Sequence, residues 1–226
     1  MAREFDGNDT LLFATPPTAI DGLATLTLSI WLIYDNPDDN YRDPIWKGGS
    51  YKTNSLWLIQ HEAGRGNTNL SFLVPRSTAD GRWNLNTVNK AWHNHVITYD
   101  FSSTSNDPIW YVDGTATALS EVSTPSGTVA TDINELTIGS GFGGASEFWD
   151  GKIGEVAVWT RILKASEAAS IGKGYSPLFV PRGLEFYASL IGKNSPEGDI
   201  VGGAMGTVTG ATAFKHPRII YPRNFR

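Results

Sequence analysis

The sequence predicts an all-β chain, folded as a single domain of two facing antiparallel sheets with one short connector helix. Three observations carry this. Short stretches of alternating apolar and polar residues recur between turn formers, the pattern of a sandwich or barrel. Aromatic residues make up 12% of the chain and include eight Trp, a composition that favours strands. Strands nowhere alternate with long helices, which excludes α/β architectures. With 226 residues, 40% hydrophobic and 18% charged, the chain is globular and long enough to bury a sizeable core without staples.

The first strong strand is Leu26-Thr27-Leu28-Ser29-Ile30-Trp31-Leu32-Ile33-Tyr34. Alternation puts Leu26, Leu28, Ile30, Leu32 and Tyr34 on one face and Thr27, Ser29, Trp31 and Ile33 on the other, so a half-buried strand is expected. The acidic run Asp35-Asn36-Pro37-Asp38-Asp39-Asn40 breaks it as a solvated turn. Further strands are predicted at 55–60, 69–74, 92–101, 109–113, 135–139 and 152–160. The pair Asp113-Gly114 marks a hairpin, because both residues tolerate positive φ. Only 164–171 reads as helix, closed by Gly172. It covers about two turns with no wide apolar stripe, which suits a connector rather than a layer.

The bulk numbers exclude several functions. A net charge of -5 without a basic run argues against nucleic acid, whose phosphates need Lys and Arg. Zero cysteines exclude disulfides, thiolate metal sites and cysteine nucleophiles. No apolar stretch reaches the ~18 residues that span a membrane. Nor does the N-terminus carry an apolar run of signal-peptide length, so if Met1 is native the protein is expected to fold where it is made.

Several segments in order resemble a known family. Trp92-His93-Asn94-His95-Val96-Ile97-Thr98-Tyr99-Asp100 is followed by Ile109-Trp110-Tyr111-Val112-Asp113-Gly114 and Leu136-Thr137-Ile138-Gly139. Then comes Trp149-Asp150-Gly151-Lys152-Ile153-Gly154-Glu155-Val156-Ala157-Val158-Trp159-Thr160-Arg161-Ile162-Leu163. With Glu4-Phe5-Asp6-Gly7 at the start, this succession resembles laminin-G-like domains of the concanavalin A-like superfamily. The resemblance implies a jelly-roll β-sandwich that recognises ligands at its rim. The stretch from Gly183 through Leu190 to Phe214 resembles the strands with which such domains begin. Residues 183–214 are therefore expected to supply permuted first strands, with 215–226 as an extended tail that lies along the domain or straps a neighbouring subunit.

Candidate chemistry is sparse. A glycosidase needs two carboxylates roughly 5–10 Å apart across one bond. The nearest approach, Glu4 and Asp6 with Asp9, is broken by the turn at Gly7-Asn8 and lacks the final Glu, so no catalytic residues are assigned. His93 and His95 could share a strand face as metal ligands but lack a third; the structural reading is preferred, and His61 stands alone. The resemblance implies calcium, for which the carboxylates are Asp6, Asp9, Asp150 and Glu155; Gly154 replaces the acidic residue of the family's motif. Sugar-binding sandwiches stack aromatic rings on pyranose faces beside planar polar groups. Loop placement points to Trp46, Trp83, Phe142 and Trp149, with Tyr41, Arg82 and Asn84 as polar neighbours.

Two function classes follow. One is a free lectin-like glycan-binding module, in an extracellular setting. The other, preferred here, is a non-catalytic module on a virion surface, as a phage capsid decoration or fibre-associated protein made in the cytoplasm. Its expected partners are virion or other assembly proteins, cell-surface glycans and further copies of itself, with neither nucleic acid nor membrane. A glycoside hydrolase is the distant third reading.

Overall fold

A computed structural model describes every residue except 36–40, 52–54, 63–68, 87–89, 131–134, 194 and 224–226. Most of the acidic turn at 35–40 and the last three tail residues therefore lie outside the described residues. In chain order the strands are β1 (Ala2–Asp6), β2 (Thr10–Phe13), β3 (Thr25–Tyr34), β4 (Arg42–Gly48), β5 (Ser55–Glu62), β6 (Asn69–Val74), β7 (Gly81–Asn86), β8 (His93–Asp100) and β9 (Ile109–Val112). There follow β10 (Thr115–Thr117), β11 (Ser120–Ser123), β12 (Leu136–Ile138), β13 (Asp150–Trp159), α1 (Ala165–Gly172), β14 (Leu184–Ala188), β15 (Glu197–Gly198), β16 (Met205–Thr209) and β17 (Thr212–Phe214).

Two antiparallel sheets face each other, a jelly-roll sandwich. The first runs β10-β9-β8-β3-β13-β1-β17, with β14 also paired to β13; the second runs β11-β7-β6-β5-β4-β12-β2-β16-β15. Alternation sends Leu26, Leu28, Ile30, Leu32 and Tyr34 of β3 inward to meet Leu11, Phe13, Ile59, Phe72 and Trp83 of the second sheet. Burying each such side chain contributes roughly 1.5–3 kcal/mol.

The outer face of the first sheet differs from expectation. Thr27 and Ser29 are fully buried rather than solvated. The reason is a third, partial layer: Leu163, Ala168 and Ile171 around α1, with Val180, pack on Val96, Tyr111, Ala157, Trp159, Leu184 and Tyr187. The helix is thus a covering element, and its few apolar positions suffice because the sheet beneath supplies the rest. It is fixed by Glu167, which accepts from the Lys164 amide at 2.8 Å and from both terminal nitrogens of Arg161 at 2.8 and 2.6 Å.

Strand β13 carries a bulge that sets the core. Ile153, Val156 and Val158 all point inward, a change of parity that requires one extra residue. That residue is Glu155, with φ +53, where the pairing to β3 slips between Gly154 and Ala157. Its carboxylate is 1% exposed. The hydroxyls of Tyr187 and Tyr221 each donate to it at 2.5 Å, and His216 Nε2 lies 3.0 Å away. Burial, then the Glu155 charge, push both tyrosine hydroxyls above their usual pKa. The C-terminal tail that supplies Tyr221 and His216 lies along the domain, where Ser176 N donates to Ile220 O at 2.9 Å.

The paired histidines do not converge as ligands. His93 Nδ1 lies 2.6 Å from Asp113 Oδ2 at the strand end, whereas buried His95 accepts from Trp110 Nε1 at 3.1 Å. His61 Nδ1 pairs with the Tyr34 hydroxyl at 2.7 Å.

Two outcomes are expected. Tyr221→Phe removes a hydrogen bond to a buried charge and should destabilise the fold by about 1.5–3 kcal/mol, read as a lower urea midpoint with unchanged slope. Burial holds His95 down to about pKa 4, against 6.5 when unfolded. The unfolded chain thus binds a proton across that window that the folded chain refuses, and stability falls as pH drops from about 6.5 towards about 4. Urea midpoints measured at intervals between those values should fall less steeply in His95→Gln; an unchanged slope would exclude His95 as the source.

Candidate functional site

Among the described residues no α-helix covers the outer face of the nine-stranded sheet. The register lines up Thr137, Trp46, Leu58, Leu73 and Arg82 in one row across β12, β4, β5, β6 and β7. The next row on the same face is Gln60, Ser71 and Asn84, and beyond it Asn69 faces Asn86. Direct cross-strand neighbours have Cβ atoms about 4.5–5.5 Å apart, so an apolar strip runs beside a polar one. Tyr51 and Phe142 close over the apolar strip, with ring centroids 5.9 and 4.8 Å from Trp46.

The loop before β13 shapes one margin. Gly141 pairs with Ser146, and Asp43 N donates to Glu147 O at 2.9 Å, folding the loop over the start of β4. Gly141 is needed there, since a Cβ would sit 2.4 Å from Asp43 Oδ2. A hydrogen-bonded chain then crosses the face. Gln60 Nε2 donates to Glu147 Oε2 at 2.9 Å, and Arg82 Nη2 donates to Gln60 Oε1 at 3.2 Å. Ser71 Oγ donates to Asn84 Oδ1 at 2.7 Å, and the Tyr51 hydroxyl donates to Asp80 Oδ2 at 2.6 Å.

Asp43 lies at the root of this chain and is fully buried. Neither of its carboxyl oxygens reaches hydrogen-bond geometry with a described residue. Burial first, and the neighbouring Glu147 second, hold its pKa well above the usual carboxylate range. The acid is therefore held towards its neutral form beside an ionisable neighbour.

Of the residues the sequence singled out, Trp46, Phe142, Arg82 and Asn84 come together on this face. Arg82, Asn84 and Phe142 are half-buried, and Tyr41 is exposed just before β4. Trp46 is covered by Tyr51 and Phe142 and has no exposed surface. Trp83 and Trp149 need correction. Residues 81–86 form a strand instead of a loop, so alternation turns Trp83 inward between Arg82 and Asn84, where it is 1% exposed and donates to Asp107 Oδ1 at 2.8 Å. Trp149 is fully buried against Tyr34, with ring centroids 4.6 Å apart. Neither offers a ring to a ligand.

Of the calcium candidates, Asp6, Asp9 and Asp150 are neighbours and Glu155 is not. Asp6 pairs with Asp150 across β1 and β13, and Asp9 Oδ2 accepts from the Asp6 amide at 3.0 Å. Glu155 lies apart, its oxygens taken by Tyr187, Tyr221 and His216. Among the described residues no group of three His, Cys, Asp or Glu side chains converges to hold a metal ion. Glu4 lies 3.2 Å from Lys152 Nζ, a surface ion pair.

Sequence reasoning missed Asp43, Gln60 and Glu147. Pro44 masks β4 as a strand, and the contact between Asp43 and the 139–149 loop spans about a hundred residues, which no local pattern encodes.

The backbone is similar to several solved structures. A Bacteroides ovatus protein provisionally described as carbohydrate-binding superposes with a TM-score of 0.66 at 18% identity, covering 97% of this chain and 61% of that one. The chain thus spans about three fifths of that relative's length. A Ruminococcus gnavus sialidase module, CBM40, gives 0.58 at 9% identity, covering 76% of this chain and 96% of that one. A heptameric SAP-like pentraxin from Limulus polyphemus gives 0.57 at 13% identity, covering 76% and 81%. At such identities these likenesses speak for the fold alone. A search of curated protein sequences gives no match. The profile of the Laminin_G_3 family, Concanavalin A-like lectin/glucanases superfamily, matches residues 5–169, well over half of the sequence, and the chain belongs to that family.

Proposed function

We propose that the chain is a non-catalytic carbohydrate-binding module whose ligand lies on the outer face of the nine-stranded sheet. One observation carries this reading: half-buried Phe142, Arg82 and Asn84, with exposed Asn86, stand on one face above the buried row Trp46–Leu58–Leu73. A pyranose has apolar C–H faces and hydroxyl edges, and the accessible Phe142 ring beside polar Arg82, Asn84 and Asn86 complements both. Phe142 provides a ring edge at the rim, and Arg82, Asn84 and exposed Asn86 provide planar donors and acceptors. The Ruminococcus gnavus module, a neighbour in fold, is recorded with alpha2,3 sialyllactose bound, which supports the ligand class. Burial of Asp43, and the use of a Glu147 oxygen by Gln60, support binding over hydrolysis, since a glycosidase needs both acids open to one bond.

The proposal extends to setting and strand order. The module acts on the surface of an assembled particle such as a phage virion, as a decoration or fibre-associated protein; a cysteine-free chain suits assembly in a reducing cytoplasm. A free extracellular lectin is the second reading. Residues 183–214 are the permuted opening strands of a single domain. Their order is consistent with Phe214 pairing directly with Ala2, where a short turn would rejoin the two.

Glycan-array binding should fall about tenfold or more in Arg82→Ala and Asn84→Ala, a loss of roughly 1.4 kcal/mol or more, in variants that circular dichroism shows still folded at the assay temperature. Unaltered binding in both variants would refute the assignment of this face. Trp83→Ala and Trp149→Ala should instead destabilise the whole domain by about 3–5 kcal/mol. Copies in regular stoichiometry on purified particles would identify the virion setting, and their absence would favour the free lectin.

The buried acid gives a separate outcome. The folded pKa of Asp43 is raised, so the folded chain binds a proton that the unfolded chain releases above about pH 4. Stability contributed at low pH is lost as pH rises through the folded pKa. Asp43→Asn should therefore raise the denaturation midpoint at pH 7, with the gain shrinking towards pH 4; a loss at pH 7 would show that the carboxylate form is needed.

A further inference from the structure

We infer that the chain carries a second saccharide site on the opposite side of the sandwich, in the groove between α1 and the 3-10 turn Pro177–Phe179. This rests on the carbohydrate-binding reading and extends it from one site to two. The groove is a depression of about 390 Å³ lined by Ser166, Glu167, Ser170, Tyr175, Phe179 and Val180. Ligand pockets begin at roughly 300 Å³, so a single sugar ring fits.

Its chemistry matches a pyranose. Tyr175 and Phe179 are 40% and 45% exposed and meet edge to face, ring centroids 5.6 Å apart and planes at 87°. They form a corner in which a C–H face can lie on one ring while the other closes its edge. Aromatic rings this exposed do little for the core. Around them stand groups that bind hydroxyls. Ser166 is exposed, and Ser170 Oγ donates to Ser166 O at 2.9 Å, which leaves its lone pairs to accept. Arg161 and the Lys164 amide hold the Glu167 carboxyl down to about pKa 2, so it remains an ionised acceptor at any physiological pH.

The platform is also preorganised. Tyr175 N donates to Ser170 O at 3.2 Å and Phe179 N to Ser176 O at 3.0 Å, while Ser176 Oγ accepts from Leu178 N at 3.3 Å. On the other side, Ile220 N donates to Gly174 O at 2.8 Å. A ligand therefore meets rings whose backbone is fixed, with little ordering entropy to offset. Two other depressions lack this. The one beside Leu23 and Trp57 is about 140 Å³ and apolar, and in the one beside Asp107 the lining Trp83 is only 1% exposed.

Because α1 packs on the outer face of the first sheet, the groove points away from the outer face of the second. One molecule would then hold two glycans on opposite sides, as a cross-linker does.

The test is a titration of the isotope-labelled full chain with the methyl pyranosides of glucose, galactose, mannose and N-acetylglucosamine, followed by amide NMR. Millimolar binding is expected for single rings. At least one sugar should shift Ser170, Tyr175 and Phe179 amides saturably. Those shifts should weaken tenfold or more in Phe179→Ala and Tyr175→Ala, and persist in Phe179→Trp and Arg82→Ala. Shifts confined to Ser71, Arg82 and Asn84 would overturn the second site and leave the first standing. No shifts at either place with any sugar would overturn both. Groove shifts unaltered by Phe179→Ala would overturn stacking as the mode of capture.

Discussion

Strand β13 is the constraint on which the molecule depends. It pairs with β3 along one edge, while its other edge is shared end to end by β1 and β14. It is buried on both faces: Ile153, Val156 and Val158 enter the main core, while Ala157 and Trp159 lie under the helical layer. Such a strand must satisfy every polar group internally. The bulge at Glu155 meets this demand where β1 and β14 abut. There the ladder has a gap, where the Glu155 amide reaches Ser189 O at 3.5 Å and its carboxylate accepts from two tyrosine hydroxyls beside the His216 ring. Beside it, a Cβ at Gly154 would make only ordinary contacts, 3.5 Å from Ala2 Cβ and 3.6 Å from Pro217, so the close approach of these segments does not itself require the glycine.

The same arrangement decides which side of the sandwich is open. The first sheet's outer face carries Val96, Tyr111, Ala157 and Trp159, apolar surface that requires a lid, and the sequence provides one in α1 and the segment after it. The second sheet's outer face carries Gln60, Ser71, Asn84 and Asn86 in register, which no apolar layer could cover without stranding their hydrogen bonds. It is left to loops and solvent. Which outer face takes the helical layer thus follows from which outward residues are apolar.

Much of the fold was legible in the sequence because alternation is local. The run 26–34, the strand at 69–74 and the hairpin at Asp113-Gly114 declare themselves within ten residues. Two kinds of feature were hidden. Strands β4 and β7 carry Pro44 and the polar Arg82, Asn84 and Asn86 in place of a clean apolar pattern, and losing β7 as a strand sent Trp83 to the wrong side. The third layer was hidden because α1 is short and its apolar partners come from four strands. Of the residues on the proposed face, Arg82, Asn84, Phe142 and Trp46 had been singled out by residue type. Asp43, Gln60 and Glu147 were not, because their meeting is a product of tertiary approach.

The two buried acids separate architecture from function. Glu155 and Asp43 are equally withdrawn from water, at 1% and 0% exposure. Glu155 has two tyrosine hydroxyls and an imidazole, the pattern of a group selected to stabilise. Asp43 has no described donor, stands beside another carboxyl, and is pushed towards neutrality. An unsatisfied buried polar atom costs roughly 1–3 kcal/mol, so a fold retains one where something else depends on it. Beside Asp43 runs the line Glu147–Gln60–Arg82, joined to it through the backbone bond from Asp43 N to Glu147 O at 2.9 Å. The less satisfied acid therefore sits where the start of β4 meets the loop that carries Glu147, and the polar line that begins at Glu147 ends at half-buried Arg82 on the same face.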